Sequence, residues 1–144
     1  MEEIKIGTGR LLTPGEDLAI LSLGHVGNYA AEVCTRLIKQ NIFVAHYDMR
    51  FVKPLDEKML HQIFRKFKKV ITVEDGCIQG GFGSAILEFM ADHNYFAEIR
   101  RLGIPDDVIE HGEQIELQRE SGFDPDGIEK AVIGMLEVIP KSVS

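Results

Sequence analysis

The sequence predicts a three-layer α/β/α sandwich built on a mostly parallel sheet of four to five strands. Three observations carry this. Short apolar runs alternate with segments whose apolar residues recur at helical spacing. The connections between them are brief, which favours right-handed strand–helix–strand crossovers. One run, Leu-Ala-Ile-Leu-Ser-Leu at 18–23, is apolar almost without interruption, as a strand covered on both faces must be.

Taken in order, Arg10 to Thr13 reads as a small extra strand and residues 18–23 as the first central one. After the turn residues Gly24 and Gly27, Ala30, Val33, Cys34, Leu37 and Ile38 repeat at helical spacing. Residues 42–48 read as the next strand. Pro54-Leu55-Asp56 opens a second helix, with Asp56 as N-cap and Met59, Leu60, Ile63, Phe64 and Phe67 on one face. Residues 70–73 are rich in β-branched side chains and read as a strand. Phe82, Ala85, Ile86, Phe89 and Met90 form the stripe of a third helix, and residues 98–102 a shorter strand. Asp124-Pro125 places a cap before an N1 proline, and Ile128, Ala131, Val132, Met135 and Leu136 follow at helical spacing.

The chain has 144 residues, 44% of them hydrophobic and 27% charged, and the whole of 1–144 reads as a single domain. Its formal charge of −7 opposes a nucleic-acid or anionic-membrane partner, since phosphate surfaces call for a basic footprint. Arg65, Lys66, Lys68 and Lys69 are expected at a helix end, where they complement the macrodipole. No apolar run approaches the roughly 20 residues that span a bilayer. Met1-Glu2-Glu3 lacks the features of a signal peptide, and Cys34 and Cys77 lack metal-ligand spacing. A cytoplasmic location with reduced thiols is the expectation.

In an open α/β sheet, ligands and partners gather outside the carboxyl ends of the strands. That edge should collect His25, then Asp48, Arg50, Lys53 and Asp56, then Glu74, Gly76, Gly80, Gly81 and Gly83, and finally His111. Gly80-Gly81-Phe82-Gly83-Ser84 could cradle a phosphate at a helix start. However, its spacing matches neither a dinucleotide fingerprint nor a P-loop, and Glu74 and Asp75 would repel an anion. Turn geometry and close packing are the simpler expectation. His61 and His93 are expected to face solvent, and His46 to be packed or hydrogen-bonded. His25 and His111 lie where a general acid or base would sit. Nothing marks Ser22 or Ser84 as an activated nucleophile. Asp48, Arg50, Lys53 and Asp56 read as an ion network or interface cluster.

Several segments together carry a family likeness. They are Gly7-Thr8-Gly9-Arg10 with Gly15-Glu16-Asp17-Leu18-Ala19-Ile20-Leu21-Ser22-Leu23-Gly24; Arg50-Phe51-Val52-Lys53-Pro54-Leu55-Asp56; Glu74-Asp75-Gly76 with Gly80-Gly81-Phe82-Gly83-Ser84; and Ile104-Pro105-Asp106-Asp107 with Ile109-Glu110-His111-Gly112. In this order they resemble the carboxy-terminal domain of the 1-deoxy-D-xylulose-5-phosphate synthases, thiamine-diphosphate enzymes of the transketolase type. His25 departs from the pattern, which more usually has a small hydroxyl residue there. The lysine–proline and glycine-rich segments also resemble the β-subunits of 2-oxo acid dehydrogenases. A third alternative is a free-standing anion-binding module of flavodoxin-like shape.

The resemblance implies a detached domain of a longer multidomain enzyme that condenses pyruvate with glyceraldehyde 3-phosphate for isoprenoid and thiamine precursors. Thiamine diphosphate and magnesium would be held by its other domains. This chain would carry no catalytic, cofactor or metal residue. Its implied work is structural, packing on the preceding domain and contributing to a homodimer. The interface candidates are Asp48, Arg50, Lys53, Asp56, Glu74, Gly76, Gly80, Gly81, Gly83 and His111.

Overall fold

A computed structural model of the chain describes residues 8–24, 26–50, 55–74, 81–103 and 124–141. In chain order the described elements are β1 (Arg10–Thr13), β2 (Leu18–Leu23), α1 (Gly27–Ile38), β3 (Val44–Asp48), α2 (Glu57–Lys66), β4 (Lys69–Glu74), α3 (Phe82–Asp92), β5 (Glu98–Leu102) and α4 (Pro125–Lys141).

The strands form one five-stranded sheet in the order β1-β3-β2-β4-β5. β1 runs antiparallel to β3, and the other pairings are parallel. The sheet is therefore mostly parallel, with the small first strand closing one edge. β2 lies at the centre, paired on one side to β3 from Leu18↔Val44 to Ser22↔Asp48 and on the other to β4. Every residue of β2 from Leu18 to Ser22 is buried.

Alternation along the strands divides the core in two. Leu18, Ile20, Val44, Ile71 and Val73 pack with Val33, Leu37, Val132 and Met135 of α1 and α4. Ala19, Leu21, Ala45 and Val70 pack with Leu60, Phe64, Phe82 and Ile86 of α2 and α3. Helices thus cover both faces, which makes three layers. Full burial of each large apolar side chain contributes roughly 1.5–3 kcal/mol, so the two clusters dominate the stability.

The helix starts follow the expected chemistry. Asp56 Oδ1 accepts the Met59 N–H at 3.0 Å, and Asp124 Oδ1 accepts the Gly127 N–H at 2.9 Å. The strand expected at 42–48 begins only at Val44. The Ile42 N–H closes the end of α1 on Leu37, and the Phe43 carbonyl accepts the Glu16 and Asp17 N–H groups. Gly15 permits this crossing: a Cβ there would lie 2.4 Å from the Val44 carbonyl carbon.

The basic run is divided. Arg65 and Lys66 occupy the last turn of α2, whereas Lys69 belongs to β4 and donates from Nζ to the Met135 carbonyl at 2.6 Å. His61 does not face solvent as expected. It is half-buried, its Nδ1 lies 2.6 Å from the Tyr95 hydroxyl, and it stands edge-on to Phe89 and His93. His93 is exposed at the end of α3.

Candidate functional site

β2 through β5 end at one edge, where Leu23, Asp48, Glu74 and Leu102 lie at the strand termini. Because β3 and β4 flank β2, the topological switch point falls between β2 and β4. Six of the ten interface candidates are described there: Asp48, Arg50, Asp56, Glu74, Gly81 and Gly83. Lys53, Gly76, Gly80 and His111, together with His25 and Cys77, lie outside the described residues.

Glu74 is the most deeply placed of the six, with 4% of its surface exposed. Its Oε2 accepts the Phe82 N–H at 2.9 Å and its Oε1 the Gly83 N–H at 2.8 Å. The helix has no other side-chain cap, Gly81 being its N-cap residue. The glycine-rich turn therefore presents its free N–H groups to a carboxylate from the chain itself. The position a phosphate oxygen would take, at the positive end of the α3 dipole, is filled. Gly83 is a point of close approach: a Cβ there would sit 2.8 Å from Arg101 Cδ and 3.0 Å from Thr72 Oγ1. Across this gap Arg101 reaches Ser84, donating from Nη1 to Oγ at 3.2 Å.

Asp48 and Asp56 hold backbone. Asp48 Oδ1 accepts the Arg50 N–H at 3.2 Å, and Asp56 Oδ2 accepts the Gly9 N–H at 2.8 Å. Arg50 sits in the left-handed region with φ 64°. Among the described residues, the other two non-glycine residues found there, Asn41 and Asn94, are of the type that tolerates it. An arginine does so at a cost of about 1–2 kcal/mol. Asp48 and Arg50, two members of the expected ion network or interface cluster, meet through the carboxylate accepting the Arg50 amide. Among the described residues, no carboxylate lies within ion-pairing distance of its guanidinium.

Behind this edge lies a buried polar pair. Ser22 and His46 are both fully buried, with Ser22 Oγ 2.8 Å from His46 Nε2. Burial pushes the His46 pKa down, while the charge of Asp48 opposes the shift. Its Nδ1 has no partner among the described residues, a cost that stays bearable only while the ring is neutral. The two residues lie on the sheet face shared with Leu18 and Val44, a placement that strand alternation could have revealed. Cys34 is buried and its thiol is pushed up to about 11 by desolvation, so it is a poor nucleophile.

Two features had no local sequence signal. One is the reach of Glu74 to α3. The other is the Arg36 node, where Nη2 meets Glu32 at 2.6 Å and Nη1 meets Asp126 at 2.8 Å and Glu129 at 3.0 Å, tying α1 to α4. These carboxylates raise the Arg36 pKa further, keeping it charged. Only the contact with Glu32 has the i,i+4 spacing of a helical ion pair.

The family model of the transketolase C-terminal domain matches residues 7–128. A 1-deoxy-D-xylulose-5-phosphate synthase of Cytophaga hutchinsonii is 59% identical over 97% of this chain and 22% of its own length. Another from Bacteroides thetaiotaomicron is 46% identical over 97% of the chain, again 22% of the relative. The chain thus spans about a fifth of these relatives. Among solved structures, one described as a split gene transketolase, inactive beta4 tetramer, superposes with a TM-score of 0.82 at 27% identity, covering 94% of this chain and 44% of that one. Transketolase from Campylobacter jejuni shares the fold, with a TM-score of 0.58 at 18% identity over 89% of this chain and 18% of that one. With its sheet order, paired helical layers and this match over most of its length, the chain belongs to the transketolase C-terminal domain family.

Proposed function

We propose that this chain is the carboxy-terminal domain of a 1-deoxy-D-xylulose-5-phosphate synthase and that its work there is structural. The observation that carries the reading is the 59% identity over 97% of the chain to a synthase of which it spans only 22%. The same identity favours the synthase over a 2-oxo acid dehydrogenase β-subunit. The whole enzyme would condense pyruvate with glyceraldehyde 3-phosphate and release carbon dioxide, in the cytoplasm.

Thiamine diphosphate and magnesium would supply the carbanion chemistry and the anchoring charge of that reaction. The one glycine-rich helix start described here does not fit a diphosphate, because Glu74 already accepts its N–H groups. The described residues include no group of three histidine, cysteine or carboxylate side chains arranged to hold a metal. Cofactor binding is proposed to belong to the other domains, as the likeness to the synthases implies. The carboxyl edge, with Asp48, Arg50, Lys53, Asp56, Glu74, Gly76, Gly80, Gly81, Gly83 and His111, is proposed as the surface meeting those domains or the second copy of a homodimer.

The test is an assay of product from pyruvate and glyceraldehyde 3-phosphate, run on the native polypeptide and on the isolated chain with both cofactors added. Activity in the first alone is expected. A long native polypeptide without the activity, or turnover by the isolated chain, would refute the reading.

A further inference from the structure

The described members of the carboxyl edge divide by where their polar groups go. Glu74 is committed to the start of α3, Asp56 to α2 and Gly9, and Asp48 to the Arg50 amide. Gly83 makes room for Arg101. Arg50 has no ion-pairing partner for its guanidinium among the described residues. It is half-buried at the end of β3, and its backbone is held at φ 64° by the Asp48 carboxylate. Holding an arginine in a left-handed conformation costs free energy that an asparagine or glycine would largely avoid, and such outliers persist where the surroundings over-determine them. Here the carboxylate nearest in sequence is spent on fixing the turn rather than on neutralising the guanidinium.

We propose that Arg50 is a docking residue whose guanidinium forms a two-pronged ion pair with a carboxylate on another part of the same long polypeptide. This rests on the reading of the chain as one domain of a synthase. A carboxylate suits the site because a guanidinium presents two parallel N–H groups matched to its two oxygens. A phosphate, carrying more negative charge, would meet the Asp48 carboxylate beside the arginine. Glu74, whose oxygens are occupied inside the domain, would support this surface from behind rather than bind the partner.

The experiment uses the full-length polypeptide carrying Arg50→Asn, Arg50→Gly or Arg50→Lys. The rate at which limited proteolysis releases the intact domain is measured alongside hydrogen exchange in β2 and β4. Arg50→Asn and Arg50→Gly both accommodate the left-handed backbone, so exchange in the central strands should stay at the wild-type level or slow. Release of the domain should quicken about tenfold or more, the loss expected for one charge-assisted pair. Arg50→Lys, which keeps the charge but not the fork, should fall between. Unchanged release in Arg50→Asn overturns the proposal while leaving the family reading intact. A saturable, Arg50-dependent effect of millimolar inorganic phosphate would assign the residue to a small anion and likewise overturn it. A native polypeptide no longer than this chain overturns both.

Discussion

Replacing Glu74 by alanine removes the two oxygens that accept the Phe82 and Gly83 N–H groups at 2.9 and 2.8 Å. Glu74 is 4% exposed, so in the wild type these N–H groups rely on the carboxylate rather than on bulk water. A hydrogen bond to a charged group contributes about 1.5–3 kcal/mol net, and the interaction of the carboxylate with the helix dipole adds a few tenths or more. Two such bonds, less some relaxation of the turn, give a loss of about 3–4 kcal/mol. For a domain of this size that corresponds to a fall in Tm of roughly 10 °C. Glu74→Gln keeps one acceptor oxygen and should lose about half as much. Urea unfolding followed by far-ultraviolet circular dichroism reads both, with the slope held constant between variants. Inorganic phosphate or sulfate should partly restore Glu74→Ala by filling the vacated position at the helix start, and should leave the wild type unchanged. A loss below about 0.5 kcal/mol in Glu74→Ala, within the usual range of an inert surface substitution, would refute the capping role and reopen the turn as an anion site.

Three further outcomes follow from the geometry. His46 has a folded pKa below its unfolded value of 6.5, so its neutral form contributes fully above pH 6.5. That contribution is lost as pH falls from there toward the folded pKa, by up to about 1.4 kcal/mol per pH unit, and His46→Gln should flatten the stability curve measured between pH 6.5 and 5.5. Gly15→Ala places a methyl 2.4 Å from the Val44 carbonyl carbon and should lower the urea midpoint by the equivalent of about 1–3 kcal/mol. Arg36→Met removes three carboxylate contacts while keeping the stem. Amide exchange in α4 should quicken at low salt and converge with the wild type near 1 M salt, where surface pairs are screened.

The layers and most elements were legible because each rests on a local signal. The unbroken apolar run of β2 marks burial on both faces, and Asp56 and Asp124 announce their helices by side-chain chemistry that acts within three residues. The antiparallel pairing of β1 was not legible, since four residues, three exposed and one half-buried, carry no preference for direction. The edge cluster was legible as a location, because strand order dictates which residues arrive there. What those residues do was not. Asp48, Arg50, Lys53 and Asp56 read in sequence as an ion network or interface cluster, and no local signal announces that the Asp48 carboxylate accepts the Arg50 amide in a left-handed turn. Glu74 reads as a repulsive neighbour to the glycine turn, yet the chain folds back so that it becomes the turn's own ligand. His61 was misjudged because its partner Tyr95 lies 34 residues on, beyond any helical period.

The central claim is that this chain is one domain of a larger synthase, and the most direct test is the size of the native polypeptide. An immunoblot of source-cell lysate with an antibody raised against this domain reads it. The account predicts a band several times larger than the 16.2 kDa of this chain, in keeping with relatives of which it spans 22%. A single band at 16.2 kDa would contradict it and make the chain a module with ligands and partners of its own.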